Sequence, residues 1–220
     1  MKDFIKSVVK LEVLYKYIFQ NAAKMTSKKI FLKLPEQTLK KQKFIYKNSR
    51  NRKMIKIRKA KLGDETGISQ MVKEGLKRNT WKYTGTSKYT KKKLEELRNS
   101  LAAKSNSKHF VAIDSQTKKI VGSSNYGFRK DGRLRHRVVL GWGIHPDFEG
   151  QGIGTKLLNF TLNDAKKKGF KRAEAEMAIK NTGSWKMALK CGFKIEGTKK
   201  KALLTDDGRY IDTYITGKLL

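Results

Sequence analysis

Three glycines in five positions, Gly150, Gly152 and Gly154, follow the apolar run 138–144 and precede an amphipathic stretch. Glycine has no Cβ to hold an anion away from the backbone N–H groups. The first turn of a following helix adds unpaired N–H donors and a partial positive charge. The segment His145-Pro-Asp-Phe-Glu-Gly-Gln-Gly-Ile-Gly-Thr-Lys156 therefore reads as a cradle for a phosphate or pyrophosphate. A P-loop is excluded, because it needs Gly-Lys-Ser/Thr and here Lys156 comes after Thr155. A dinucleotide fingerprint is excluded too: the glycines alternate, and too little chain follows for a βαβαβ array. Taken alone, the loop also reads as a plain Gly-rich turn from strand to helix.

A second group lies downstream. Asn181-Thr-Gly-Ser184 follows a plausible strand and opens a short helix, and Gly192-Phe193 closes it. A glycine at that end of a helix suits the left-handed conformation found there. In order and spacing, the Gly152-Ile153-Gly154 loop and the Asn181 to Phe193 block resemble the two acyl-CoA-binding blocks of the GNAT N-acetyltransferases. Asn181-x-x-Ser184 is similar to the RimJ/RimL-like branch. The resemblance covers roughly residues 54 to 220. It implies acetyl-CoA as co-substrate and no metal. It further implies a cofactor site of Trp142, Gly143, Ile144, Gly150, Gln151, Gly152, Ile153, Gly154, Thr155, Asn181 and Ser184. Glu149 stands where the family has Arg or Gln; since the contacts there are mainly to backbone N–H groups, this is expected to weaken the pyrophosphate site without abolishing it.

The resemblance also implies the chemistry, direct attack of an amine on the thioester with no covalent enzyme intermediate. Such a reaction needs donors for the oxyanion and a route for the amine proton. A splayed strand end at Trp142-Gly143-Ile144 would leave backbone N–H groups for the acyl oxygen and the pantetheine arm, and Gly141 and Gly143 make such a bulge easy. Close packing of a helix is another use for those two glycines. Glu176, five residues before Asn181, falls where ribosomal-protein alanine acetyltransferases place a general base. Burial in a cleft would raise its pKa, whereas a solvated surface pair with Glu174 is the plainer alternative. A Glu used as base by other relatives, on the strand before the loop, is Val139 here. The Tyr that many relatives use as acid is Ala188; Tyr210 and Tyr214 are substitutes or core residues. The acceptor groove is expected near Trp81, Tyr83, Tyr89, Asp212 and Glu196.

The elements that must position these residues can be read from Met54 onward. Residues 54–58 alternate as a strand, and Asp64 is placed to cap a helix running to about Lys77. Thr90 caps a second helix, 91–99. Segments 110–113 and 119–126 form a hairpin pair, and 135–144 the next strand. A helix covers about 156–168, and Asp206-Asp-Gly208 turns between the last two strands. The order is β-α-α-β-β-β-α-β-α-β-β, which is the GNAT order. The fold class is thus α/β, more strictly α+β: a mixed, mostly antiparallel sheet with helices on both faces.

Composition bounds the rest. The chain has 220 residues and a net charge of +33, spread over both its first 53 residues and the remainder. So basic a surface attracts polyanions without sequence preference, RNA and ribosomes included, although a Lys-rich source proteome accounts for it equally well. No known RNA-reading motif is present. The single cysteine, Cys191, excludes a disulfide framework and fits a reducing, cytoplasmic setting, with an inert packed thiol expected. His109, His136 and His145 are scattered without metal-ligand spacing, and a surface role is expected for His145. Residues 1–53 read as a basic extension: apolar positions from Phe4 to Ala22 recur at helical spacing, and 38–53 form a basic linker. Charges interrupt that helix too often for a membrane span. It reads either as a docking helix or as an extension ahead of a true start at Met54. The expected protein is a monomeric or homodimeric N-acetyltransferase acting on a primary amine of a small molecule or a protein N-terminus. The alternative is a catalytically weak CoA-binding module docked on RNA or ribosomes.

Overall fold

The computed structural model describes residues 54–78, 83, 88–102 and 105–220. All lie in the second of the two units into which the chain divides, Met1–Arg52 and Lys53–Leu220. The helix and linker expected within 1–53, and Trp81, fall outside the described residues.

Strand β1 (Ile55–Lys59) leads to helices α1 (Asp64–Lys77) and α2 (Lys91–Ser100). Strands β2 (Ser107–Asp114), β3 (Ile120–Phe128) and β4 (Arg137–Ile144) follow, and a 3-10 turn (Pro146–Phe148) leads into α3 (Ile153–Lys167). The chain ends with β5 (Arg172–Ala178), α4 (Thr182–Lys190), β6 (Lys194–Leu204) and β7 (Tyr210–Leu219). This is the expected order. The sheet has seven strands in the order β1-β2-β3-β4-β5-β7-β6. Its neighbours are antiparallel except for β4 and β5, which run parallel.

The local signals act much as expected, with one exchange of partners. Thr90 caps α2, its hydroxyl accepting from the Lys93 N–H at 3.3 Å. Gly192, with φ +87°, takes the left-handed position just after α4. At α1, by contrast, the cap position belongs to Gly63 in the left-handed conformation, and Asp64 caps nothing. Arg58 of β1 claims the Asp64 carboxylate with two hydrogen bonds, at 2.6 and 2.8 Å, and the Lys61 N–H adds a third at 2.8 Å. An ionised fork bond outweighs a neutral cap. The result ties the first strand to the start of the first helix.

Helices α3 and α4 lie over one face of the sheet. Val138, Leu140 and Ala173 point into that layer with Leu157, Leu158, Leu162 and Ala165 of α3. Two buried polar contacts fix the rotation of α3 on β3: Ser124 meets Thr161 at 2.5 Å, and Tyr126 donates to Asp164 at 2.7 Å. Gly122 is a close-approach position, since a Cβ there would stand 2.8 Å from Ile144 Cδ1. The other face of β3 receives α1, with Gly67 of that helix seated against Ile120.

The Arg58–Asp64 pair gives a pH signature. Burial alone would raise the Asp64 pKa, but the hydrogen bonds from Arg58 and Lys61 outweigh it and hold the carboxyl below its usual range. A group depressed in the folded state stabilises above its unfolded pKa, about 3.9, and loses that contribution as pH falls through the folded value. Urea midpoints measured from about pH 6 to pH 3 should therefore fall more steeply in the wild type than in Asp64→Asn. At neutral pH that variant should lose about 1–3 kcal/mol.

Candidate active site

Parallel pairing of β4 with β5 covers only Arg137–Arg172, Val138–Ala173 and Val139–Glu174. Past that point β4 continues beside β3 as far as Ile144, while β5 continues beside β7 as far as Ala178. The two strands diverge and leave a wedge between them. The His145 N–H bonds to Val121 O of β3 at 2.9 Å, and bonded and non-bonded positions alternate along an antiparallel pair. Trp142 and Ile144 therefore turn their N–H and C=O groups away from β3, into the wedge, and Leu140 adds its C=O, its N–H being taken up by the last β4–β5 pair. Of the open edge expected at Trp142-Gly143-Ile144, Trp142 and Ile144 supply it; Gly143 stays paired with Ser123, and the β3–β4 register runs on without the expected bulge.

The wedge is held at its apex by charge. Arg137 donates to both Glu174 oxygens, at 3.0 and 2.9 Å, and Arg172 Nε donates to the same carboxylate at 2.7 Å. Arg172 also bonds Glu196 of β6. Burial would raise the Glu174 pKa, but the two guanidinium groups hold it below the usual range. Glu196, expected in the acceptor groove, is thus part of this clamp.

The glycine loop sits beyond the end of β4. Gly150 (φ +71°) and Gly152 (φ +75°) both occupy the left-handed region, and Gly152 caps α3. A Cβ at either would meet nothing within 4 Å, so backbone conformation, not crowding, calls for glycine there. Gly154 differs. A Cβ on it would stand 2.5 Å from Met187 Sδ and 3.3 Å from Ile144 Cγ1, so this glycine lets α3 close on α4 and β4. Among the described residues, the N–H groups from Gly150 to Thr155 donate to no protein acceptor; the first backbone bond on α3 is Lys156 N–H to Gly152 O at 3.2 Å. The first turn of α3 carries no acidic residue. A run of unpaired donors at a positive helix end fits a pyrophosphate group.

Across the wedge, the Asn181 Oδ1 caps α4 by accepting from the Ser184 N–H at 3.3 Å. Trp142 Nε1 donates to Ser184 Oγ at 3.0 Å, a contact that spans from β4 to the first turn of α4. Trp185 packs edge-on against Tyr214, with ring centroids 5.8 Å apart, and donates to Ile179 O at 3.1 Å. Ala188 is wholly buried. Tyr214 is thus a packing residue, and Tyr210 is exposed at the start of β7. The Cys191 thiol is buried and its pKa is pushed up by desolvation, in keeping with an inert packed group.

Glu176 sits on the same face of β5 as Glu174, two residues past the last β4–β5 pair. Its Oε2 accepts from Lys199 Nζ at 2.6 Å and its Oε1 from the Thr213 hydroxyl at 2.7 Å. The bond from Lys199 above all, then that from Thr213, holds its pKa below the usual carboxylate range. The expected rise does not occur. The carboxylate is 41% exposed, too open for desolvation to dominate. Val139, on the same face, is exposed.

The remaining expected residues divide. Asp212 accepts from the Lys201 N–H and from Lys200 Nζ, each at 2.9 Å, and so pins the bulged part of β6 to β7. Tyr83 is half-buried, and so is Tyr89, whose phenol pKa is raised by burial. His145 is corrected from surface residue to tether. Its side chain is nearly buried, its Nδ1 accepts from the Asp147 N–H at 3.2 Å, and its Nε2 therefore carries the proton that bonds Glu74 of α1 at 2.6 Å. Arg78 pairs with Asp147 beside it. Sequence reading missed this tether, the Arg137–Glu174–Arg172 clamp and the Lys199–Thr213 partners of Glu176. All three depend on strand register.

The fold and the site now place the chain among known proteins. The profile of the acetyltransferase (GNAT) family matches residues 75–193, more than half of the chain, and the protein belongs to that family. Its chemistry is therefore acyl-CoA-dependent acetyl transfer. No curated protein sequence matches the chain. Among solved structures, a GNAT-family acetyltransferase from Streptococcus pneumoniae is 24% identical with a TM-score of 0.67, over 76% of this chain and 100% of that one. A ribosomal-protein-S5-alanine acetyltransferase from Vibrio fischeri is 22% identical with a TM-score of 0.65, over 75% and 92%. A spermidine N-acetyltransferase from Vibrio cholerae, solved with CoA and spermine, is 22% identical with a TM-score of 0.63, over 75% and 95%. At these identities the structural likeness shows the fold.

The two kinds of glycine respond differently to substitution. Gly152→Ala should cost about 1–2 kcal/mol of stability, from left-handed strain alone, and should also weaken acetyl-CoA binding, because its methyl enters the donor loop. Gly154→Val should cost about 1–3 kcal/mol by overpacking. Urea denaturation read alongside calorimetric titration with acetyl-CoA separates the two effects.

Proposed function

We propose that the protein transfers the acetyl group of acetyl-CoA to the nitrogen of a primary amine, on a small molecule or a protein N-terminus, by direct attack. The observation that carries this reading is the wedge between β4 and β5. It has backbone donors and acceptors along one edge, the glycine loop at its end, and a carboxylate on its open face. The glycine loop, from Gly150 to Thr155, would hold the pyrophosphate through N–H groups. The edge at Leu140, Trp142 and Ile144 would pair with the amides of the pantetheine arm and donate to the acyl oxygen. Asn181 and Ser184 would line the far wall, with the Asn181 amide oxygen already capping α4 and the Ser184 hydroxyl oxygen already accepting from Trp142.

In this reading Glu176 takes the amine proton. It is ionised at neutral pH, so it can accept one, and it lies on β5 just past the point where β4 and β5 part. The amine nitrogen bonds to the carbonyl carbon, the C–S bond breaks, and CoA leaves as a thiolate. Thiols are acidic enough, with a pKa near 8.5, for that thiolate to take its proton from water. The absence of a Tyr at Ala188 is therefore no obstacle. Tyr83 and Asp212 would border the acceptor, Asp212 indirectly, through the hairpin it pins.

Assignment to the RimJ/RimL-like branch is supported by Asn181-x-x-Ser184 and by the ribosomal-protein-alanine acetyltransferases among the structural neighbours. It would favour a protein N-terminus as acceptor, and the single cysteine fits work in the cytoplasm. The alternative of a docking module for RNA or ribosomes finds no support in the fold or the comparisons.

Thiol release from acetyl-CoA should be accelerated by at least one member of a panel of primary amines and N-terminal peptides. In Glu176→Gln that rate should fall by about 10²–10⁴-fold, with acetyl-CoA affinity unchanged by calorimetry. Full activity in the variant would move the base elsewhere; no heat with acetyl-CoA would overturn the reading itself.

A further inference from the structure

Glu176 already holds a primary ammonium. Lys199 belongs to β6, and the order β5-β7-β6 puts a whole strand between it and Glu176. Thr213 of β7 is the register partner of Lys199 and also bonds Glu176. Neighbouring strands lie about 4.8 Å apart, so Lys199 must stretch across β7 to reach β5. Gly197, two residues earlier on the same face, leaves the neighbouring ground low. The outcome is an Nζ–Oε2 contact of 2.6 Å between two half-exposed side chains. An ion pair this exposed contributes little to stability, typically less than about 1 kcal/mol. Stability alone is a weak reason for a lysine to reach so far.

The position has a chemical meaning. A general base must stand within hydrogen-bond reach of the proton that it removes. If Glu176 serves the acceptor amine, the place that amine must occupy is the one Lys199 Nζ now fills. We propose that Lys199 is a self-acetylation site, the acceptor that the chain presents to its own active site when no other amine is bound. This rests on the functional reading above and extends it. The nitrogen begins as an ammonium with three protons. One is lost to solvent, the nitrogen lone pair attacks the thioester carbonyl carbon, and the C–S bond breaks. Glu176 accepts a second proton from the bonded nitrogen as the amide forms, while the departing thiolate takes one from water. The products are an amide on Lys199, which keeps one proton, and free CoA thiol.

The same geometry narrows the class of external acceptor. An incoming substrate has to displace a resident lysine ammonium from a carboxylate. A protonated primary amine free to reach the carboxylate matches that requirement, and a hydroxyl or a secondary amide does not. Lysine-like side chains, polyamines and exposed N-termini all present such a group.

The internal standard for a test lies in the same strand, because Lys194, Lys200 and Lys201 are exposed near Lys199. The full chain is incubated with acetyl-CoA and no acceptor, and acetylation of each lysine is followed by peptide mass spectrometry. Lys199 should be modified at least about tenfold faster than those three, a modest share of what general base catalysis supplies. The excess should vanish in Glu176→Gln and in urea-unfolded chain, where only spontaneous acetylation remains. Lys199→Arg should abolish the fast modification while leaving acetyl-CoA binding intact by calorimetry. Equal rates at Lys194, Lys199, Lys200 and Lys201 in a chain that binds acetyl-CoA would overturn the proposal, as would an excess that survives Glu176→Gln. If acetyl-CoA does not bind, the functional reading fails, and this inference with it.

Discussion

The site depends on a strand pairing that stops early. β4 and β5 share three registers and then part, because each keeps its other partner: β4 stays with β3 to Ile144, and β5 stays with β7 to Ala178. Closing the wedge would break one of those ladders, at about 1 kcal/mol for each hydrogen bond lost. Keeping it open leaves backbone groups of Leu140, Trp142 and Ile144 without a strand partner. Such groups need water or a ligand. A thioester arm carrying amides is a suitable partner, so on the proposed reading the unmade pairing would itself be the recognition element. The apex is fixed from both sides of the sheet. Val138 and Ala173 are wholly buried on the helix side, and on the other side Glu174 is gripped by Arg137 and Arg172.

Two helices convert the wedge into a lined site, and they do so by different means. α3 is brought close by missing side chains: Gly122 on the sheet and Gly154 on the helix leave room for Ile144 and Met187. α4 is brought close by polar contacts at its start, where Asn181 caps the first turn and Ser184 receives the Trp142 indole. On the opposite face, His145 and Asp147 hold the loop after β4 against α1 through Glu74 and Arg78. The glycine loop is thus anchored on its entry side by side chains and on its exit side by the bond from the Lys156 N–H to Gly152 O.

How far the sequence anticipates this follows the range of the forces involved. The order of elements, the Thr90 and Gly192 caps and the glycine loop are legible, because each depends on residues within a few positions of one another. The triple glycine reads as one motif, yet it combines two requirements: backbone conformation at Gly150 and Gly152, and close packing at Gly154. Only the second needs a partner distant in sequence, Met187. Glu176 is legible as a residue but not in its protonation, since its partners Lys199 and Thr213 lie 23 and 37 residues away. Strand register decides which lysine reaches it, and a change of one residue in register would send that side chain to the other face. His145 is misread for the same reason. Its odd-numbered place continues the face of β4 that meets α1, and nothing local records that. Asp64 is misread because a charged partner on β1 outbids a cap that any local pattern would favour.

The depressed pKa of Glu176 bears on how the proposed reaction is timed. A free primary amine has a pKa near 10, so a carboxylate below its usual range cannot strip an ammonium before attack at any useful population. It does not need to. The small neutral fraction of the amine can attack, and once nitrogen begins to bond to the carbonyl carbon it acquires positive charge and its protons become strongly acidic. A weak base placed at that nitrogen then accepts a proton downhill, and an ionised one is always ready. A raised pKa would give Glu176 more basicity at the cost of leaving part of it protonated, and the pair with Lys199 sets the opposite compromise. The carboxylate then acts late, on the bonded nitrogen, and its earlier contribution is to hold an ammonium at the mouth of the wedge until a proton is lost to solvent.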